Sequence, residues 1–339
     1  MKKCKIFERT EFYLFLALVV WIAIIQWRSG QFFAANNLVD MVRAMIVPGM
    51  FVIGCQTVMI SGGIDVSFPV FASMAGYATT KFLLDRGYAG PIILVYLMGA
   101  GLGLLMGMFN GFIIAKFNFI PFIVTLGSSS IFLGLLLGGL NATLIDVPPA
   151  MLAHGKAKLF SGVNLERGLS SDMPVTVIIL IILLIIMFFV RRYTMFGRGI
   201  YAVGGDAVSA ERAGFAVKRI KFIVYAMAGA LAGVTGIAYY SMTQFCSPNN
   251  LVGSEMNVIA AAVLGGTHMG GGRGTLLGAM LGVALITIMQ NSLIMVGVSS
   301  YWQSVVTGVV ILVGTAVTSR QNAPRIARVT KAGKGGEQA

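Results

Sequence analysis

Charge is what this sequence has least of. Only 11% of its 339 residues are charged, and only 12 are acidic, against about 25% charged in an ordinary soluble domain. Too little polarity remains to clothe a water-facing surface. Cysteine is as scarce. Cys4, Cys55 and Cys246 form an odd, scattered set that builds neither a disulfide framework nor a metal site. The two histidines, His154 and His268, lack companions for a zinc site or a triad. No G-x-x-x-x-G-K-S/T occurs, so no loop of that kind cradles a nucleotide's phosphates. Gly333-Lys334-Gly335 has neither the spacing nor the hydroxyl. No two carboxylates fall together within an apolar segment, and no nucleophile sits there with a base. The expectation is a chain that is not an enzyme, with no catalytic residue, metal or cofactor of its own.

What is abundant is hydrocarbon, at 57% of residues. Val175–Val190 reads VTVIILIILLIIMFFV. A barrel strand would alternate over roughly ten residues, and this run does not. At about −0.3 to −0.6 kcal/mol per Leu, Ile, Phe or Val near a helix centre, it favours insertion by several kcal/mol. The expected fold class is all-α, a polytopic transmembrane helix bundle. Ten apolar segments are placed at roughly 12–28, 36–60, 66–84, 91–115, 119–140, 174–190, 221–245, 256–268, 275–290 and 301–318. The third is interrupted by Pro69 and glycine. The eighth is short for a span of about 20 residues and needs a neighbouring loop or a broken helix. MKKCKIFER before Phe12–Trp27 has a signal peptide's basic and apolar regions, but no A-x-A cleavage pattern follows, which reads as an uncleaved first span.

The formal net charge is +13. With the N-terminus inside and ten alternating spans, eighteen Lys and Arg fall on the cytoplasmic side and six outside. That bias is the positive-inside pattern, so the charge needs no nucleic acid to explain it. Both termini are then cytoplasmic, residues 319–339 form a basic tail, and 1–339 make one transmembrane domain. Residues 141–173 form an external loop. Residues 191–221 form a cytoplasmic loop with seven basic residues against Asp206 and Glu211.

Glycine is plentiful and ordered. Gly99, Gly103, Gly107 and Gly111 repeat every four residues, as do Gly274, Gly278 and Gly282, and the pair Gly229 and Gly233. Small residues at this spacing let helix backbones approach closely in lipid. SGGID (Ser61–Asp65) and LGGTHMGGGRG (Leu264–Gly274) both interrupt membrane segments. Unwound backbone at that depth survives inside protein or beside a water-filled cavity, and broken helices in matching halves often flank a transport site. Simple turns explain both breaks equally well. Asp65 is either a deep acidic relay or, at a helix boundary, a residue that caps a helix or contacts solvent. Among uncharged polar residues, Asn110, Asn257, Gln290 and Asn291, with Asp65, are candidates for a pathway suited to a neutral, hydroxyl-rich solute. Interhelical hydrogen bonding is the competing reading.

Such a chain needs power from elsewhere. Within 191–221, Asp206 can cap a helix, Ala207–Ala213 (AVSAERA) are helix formers, and Gly214 fits a stop. A short amphipathic helix with Glu211 and Arg212 exposed is predicted, able to dock in a groove on a soluble partner.

GRGIYAVGGDAVSAERAGF (Gly197–Phe215) resembles the cytoplasmic loop of the ribose-type sugar permeases of bacterial ATP-binding-cassette importers, G-R-x-x-Y-A-x-G-G-N-x-x-A-A-x-x-x-G-I. SGGIDVSF (Ser61–Phe68), PFIVTLG (Pro121–Gly127) and AAAVLGGTHMGGGRGTLLGAMLGV (Ala260–Val283) resemble blocks of the same family, in family order. The resemblance implies a multi-pass permease of the bacterial inner membrane, working by alternating access. It implies an ATP-hydrolysing subunit beneath, a periplasmic or tethered sugar-binding protein above, and a second permease, identical or related, beside it. Ala210-x-x-x-Gly214 falls where the importers' coupling motif E-A-A-x-x-x-G has its alanine and glycine. Gly204, Gly205, Asp206, Ala210, Glu211, Arg212 and Gly214 are thereby implied in coupling to the ATPase. The chain departs from the pattern at Asp206 for Asn, at Glu211 and Arg212 in the alanine run, and at Phe68-Pro69 for Val-Gly. The alternative is a secondary carrier driven by an ion gradient.

Overall fold

A computed structural model describes residues 10–164, 168–295, 297–299, 301–303, 305–309 and 312. Cys4, Glu166, Arg167, half of the tenth apolar segment and the basic tail lie outside the described residues. The first half of the chain gives α1 (Thr10–Ser29), α2 (Ala35–Ile60), α3 (Phe68–Leu84), α4 (Ile92–Phe117) and α5 (Pro121–Gly134), which runs into a π-helical turn, Leu135–Gly139. Then come α6 (Pro149–Lys156), α7 (Thr176–Tyr193), α8 (Met195–Gly205), α9 (Ala207–Arg212), α10 (Val217–Thr243), α11 (Glu255–Leu264) and α12 (Leu276–Met295).

Seven of these helices are long and apolar enough to cross a membrane. α3, at 17 residues, and α11, at 10, fall short of that length. Pro69 does not interrupt the third segment. It lies in the first turn of α3, where the missing N–H would have had no partner anyway.

The centre is the seam between α4 and α10. A Cβ on Gly103 would lie 2.2 Å from the carbonyl oxygen of Gly229, and one on Gly233 would lie 2.0 Å from that of Gly99. The two glycine stripes therefore face each other, backbone on backbone. Gly236 continues the contact onto α3, where a Cβ would meet Ala72 O at 2.1 Å. The stripe on α12 packs likewise on α11, with Gly282 against Ala261 O and Gly278 against Gly265 O. Lipid tails are as apolar as the helices, so close van der Waals approach rather than hydrophobic force supplies the association.

Segment 141–173 is not an unstructured loop. β1 (Ile145–Asp146) pairs antiparallel with β4 (Phe245–Cys246), and β2 (Lys158–Asn164) pairs with β3 (Leu169–Pro174) as a hairpin. The hairpin lies along α2, where Ser171 Oγ donates to Asp40 Oδ2 at 2.8 Å. α6 lies against the end of α10, so close that a Cβ on Gly155 would overlap Ser241 O.

Candidate functional site

The segment 191–221 is almost wholly helical. Thr194 turns the chain after α7, and its Oγ1 accepts the Gly197 N–H at 3.0 Å to cap α8. Asp206 is extended (φ −157°) and caps α9. Its carboxylate accepts Val208 N–H at 3.0 Å and Ser209 O–H at 2.5 Å. The Ser209 hydroxyl, then the Val208 amide, hold this carboxyl below its ordinary value. Its contribution is fully present above the usual Asp pKa of about 4 and is lost only as pH falls through the lower folded value.

At the other end, Phe215 N–H donates to Ala210 O at 3.0 Å and Gly214 N–H to Glu211 O at 2.9 Å, with Gly214 at φ +89°. This 6→1 and 5→2 pair is the glycine stop known as a Schellman motif. Ala210 is buried beneath Phe215, while Val208, Glu211 and Arg212 are exposed. The predicted helix 207–213 is observed at 207–212, and its one buried face is a single alanine wide.

What holds α9 in place is the residue pair before its cap. A Cβ on Gly204 would sit 1.7 Å from Ile60 O and 2.7 Å from Gly272 N, whereas one on Gly205 would meet nothing within 4 Å. Gly272 N–H donates to Ile60 O at 2.8 Å, and Tyr201 O–H donates to Gly274 O at 3.0 Å. The break after α2 and the break between α11 and α12 thus meet each other, and the end of α8 is seated in their junction. Gly271, at φ +91°, has room for no side chain there: a Cβ would lie 2.6 Å from Gly204 O.

A polar tie crosses the same junction. Gln56 Nε2 donates to Thr267 Oγ1 and to Thr275 O, both at 2.8 Å. Its Oε1 accepts from Arg191 Nη1 at 2.5 Å. Arg191 Nη2 donates to Ile53 O at 2.8 Å and to Thr57 Oγ1. In the sequence Arg191 stands at the head of the cytoplasmic loop 191–221. In the structure it is only 7% exposed and held by neutral oxygens, with no carboxylate in ion-pair range among the described residues. An arginine directly after an apolar run looks like any positive-inside flank, so its direction could not be read.

The five pathway candidates divide into two groups. Asp65 and Asn110 meet through Ser67: Asp65 Oδ1 accepts Ser67 N–H at 2.7 Å and Ser67 O–H at 2.6 Å, and Asn110 Nδ2 donates to Ser67 Oγ at 3.0 Å. Asp65 is 2% exposed and closes the turn before α3, whose N-cap, Ser67, makes no side-chain cap bond to the helix. Asn110 Oδ1 and Tyr225 Oη are both buried with no partner among the described residues. Asn257, Gln290 and Asn291 lie elsewhere, with Ser254 and Thr287, around a cleft of about 250 Å³ between α2, α11 and α12. Asn291 also borders an adjoining hollow of about 730 Å³, lined by Asp40 and Arg43. The cleft offers amides and hydroxyls over an apolar floor that includes Phe51 and Val258. It holds no charged side chain among its lining residues.

A bundle of apolar helices joined by glycine seams, with the end of α8 seated on its broken ends, is a multi-pass membrane protein. The chain belongs to the family described as the permease component of the branched-chain amino acid transport system, matched over residues 37–314. It is similar to the ribose import permease protein RbsC of Escherichia coli strain K12, with 31% identity covering 90% of this chain and 92% of RbsC. It is also similar to RbsC of Bacillus subtilis strain 168, at 30% identity over 91% and 92%. The xylose transport system permease protein XylH of Haemophilus influenzae matches at 27% over 92% and 96%. The ribose-type resemblance carried by Gly197–Phe215 is borne out by these relatives. No solved structure matches the chain.

Proposed function

We propose that the chain is the membrane-spanning permease subunit of an ATP-binding-cassette importer. It moves a sugar or sugar-like solute across the bacterial inner membrane. The observation that carries this reading is α9: a helix of 6 residues, capped at both ends and presenting Val208, Glu211 and Arg212 outward, in a chain collinear with ribose permeases. A helix too short to be stable alone is fixed here by its caps and by the Gly204 seat. It is a feature built to be gripped.

In this account the chain has ten spans with both termini cytoplasmic and α9 facing inward. An ATPase subunit docks on Gly205, Asp206, Glu211 and Arg212, while Ala210, Gly204 and Gly214 hold the helix in shape. A sugar-binding protein delivers solute at the 141–173 side, and a second permease completes the passage. Closure of the ATPases on ATP draws the α9 helices together and tilts the bundles, and hydrolysis resets them. The chain itself makes and breaks no covalent bond. Asn257, Gln290 and Asn291 suit a neutral solute, because amides pair hydroxyls without burying charge. Asp65 and Asn110 serve the architecture instead.

Co-purification tests the reading. The intact chain brings its ATPase through a membrane extraction. A chain lacking Ala207–Ala213, or carrying Gly214→Arg, inserts normally but leaves the ATPase behind. ATPase retained by both variants would overturn the role of α9.

A further inference from the structure

Docking explains where force enters but not where it goes, and the junction around Gly204 supplies a route. We infer that Gly204, Tyr201 and Thr267 are positioning residues that make α8–α9 and the two membrane breaks a single moving unit. Displacement of α9 is thereby passed to α2, α3, α11 and α12 together. The inference rests on the importer reading and adds the internal linkage to it.

Three independent contacts converge. The first is steric. The Gly204 position is wedged between Ile60 O, the last carbonyl of α2, and the Gly272 amide, so α8 cannot slide without moving both breaks. The second is the bond from Gly272 N–H to Ile60 O at 2.8 Å, which closes one break on the other. The third is polar and lies at the flank: Tyr201 to Gly274 O at 3.0 Å, and Gln56 to Thr267 at 2.8 Å. Gln56 is itself tied to Arg191 at the end of α7. Breaks of this kind are otherwise the most deformable parts of a helix bundle, since their backbone groups are not held by i→i−4 bonds. Coupled to each other and to α8, they become a joint with one shared displacement. The cleft of Asn257, Gln290 and Asn291 lies between α2, α11 and α12, three of the helices that this joint would move.

The test is the ratio of solute imported to ATP hydrolysed, in the complete importer in proteoliposomes. Gly204→Ala forces α8 off Ile60. Tyr201→Phe and Thr267→Val, combined, cut the flanking bonds at nearly constant volume and guard against simple misfolding of the glycine variant. Gly101→Ala, on α4 with nothing within 4 Å of its Cβ, is the control. Expected are assembled complexes in which uptake per ATP falls about tenfold or more in both test variants, while the Tyr201→Phe, Thr267→Val chain hydrolyses ATP within about twofold of the parent; a tenfold change is about 1.4 kcal/mol of lost coupling. A merely structural role would lower uptake and hydrolysis in step, leaving the ratio unchanged, and that outcome overturns the inference. So does an unchanged ratio with full activity. If the parent accumulates solute with no ATPase present, the importer reading itself fails rather than the linkage.

Discussion

Arg191 carries a charge into a space where it meets neutral oxygens, those of Gln56, Thr57 and Ile53 and the Tyr201 hydroxyl. Hydrogen bonds to charged groups are worth about 1.5–3 kcal/mol, and leaving a buried acceptor unpaired costs about 1–3 kcal/mol. Arg191→Met is therefore expected to destabilise the detergent-solubilised chain by about 1–3 kcal/mol, read from thermal unfolding. An unchanged midpoint would show that the bonds to Gln56 and Thr57 contribute nothing. His154 is the residue with a pH signature. Its Nε2 lies 3.2 Å from Tyr96 Oη and 3.4 Å from Thr176 Oγ1, and burial holds its pKa below the ordinary value. The unfolded chain then takes up a proton more readily, so stability falls as pH drops below about 6.5 and levels off beneath the lower folded value. Segment 141–173 becomes more protease-sensitive between about pH 7 and pH 5, and His154→Gln flattens that dependence; an identical slope in the variant would remove His154 from the account. At this scale the sequence was legible where chemistry is local. Asp206 and Gly214 announced a cap and a stop, because both act within one turn of chain; the burial of Ala210 was not announced. The directions of Arg191 and Tyr201 were not legible, because each depends on a partner far along the sequence.

Among elements, the seam of α4 and α10 makes the sharpest demand. Gly103 faces Gly229 backbone to backbone, while Gly101, two residues away on the same helix, meets nothing within 4 Å. Gly103→Leu is expected to cost about 1–3 kcal/mol or more from overpacking, seen as lost folded yield and a lower unfolding midpoint. Gly101→Leu should stay within about 0.5 kcal/mol of the parent. Equal behaviour of the pair would mean that the seam is looser than its geometry. The stripes themselves were visible as four-residue repeats, since helical periodicity alone produces them. Which stripe met which was not visible, nor was the meeting of SGGID with the glycines of 270–274. The two-residue strands β1 and β4 lie about a hundred residues apart in sequence, and no local signal marks such a pair. The reverse error arose at Pro69, where a residue that breaks helices in their middle was found starting one.

For the whole molecule, sparse charge and long apolar runs were enough to give a helical membrane bundle, because insertion depends on summed composition rather than on contacts. Seven helices meet the length for crossing, and the remaining three spans of the proposed ten rest on α3, α11 and the segment beyond 301. A ten-residue α11 fits that count only if the glycine-rich stretch after it lies at membrane depth, packed against the break after α2 as observed. Thiol labelling checks the arrangement: a cysteine introduced at Val208 is expected to react only with reagent that has entered the cell. Labelling from outside would invert the proposed topology and leave α9 facing no ATPase. The central claim is that this bundle is a gate worked by a motor that it does not contain. The most direct measurement is solute accumulation in proteoliposomes holding the chain with and without its ATP-hydrolysing partner. Accumulation against a gradient only with the partner and ATP is the predicted result; accumulation by the chain alone, driven by an ion gradient, would contradict it.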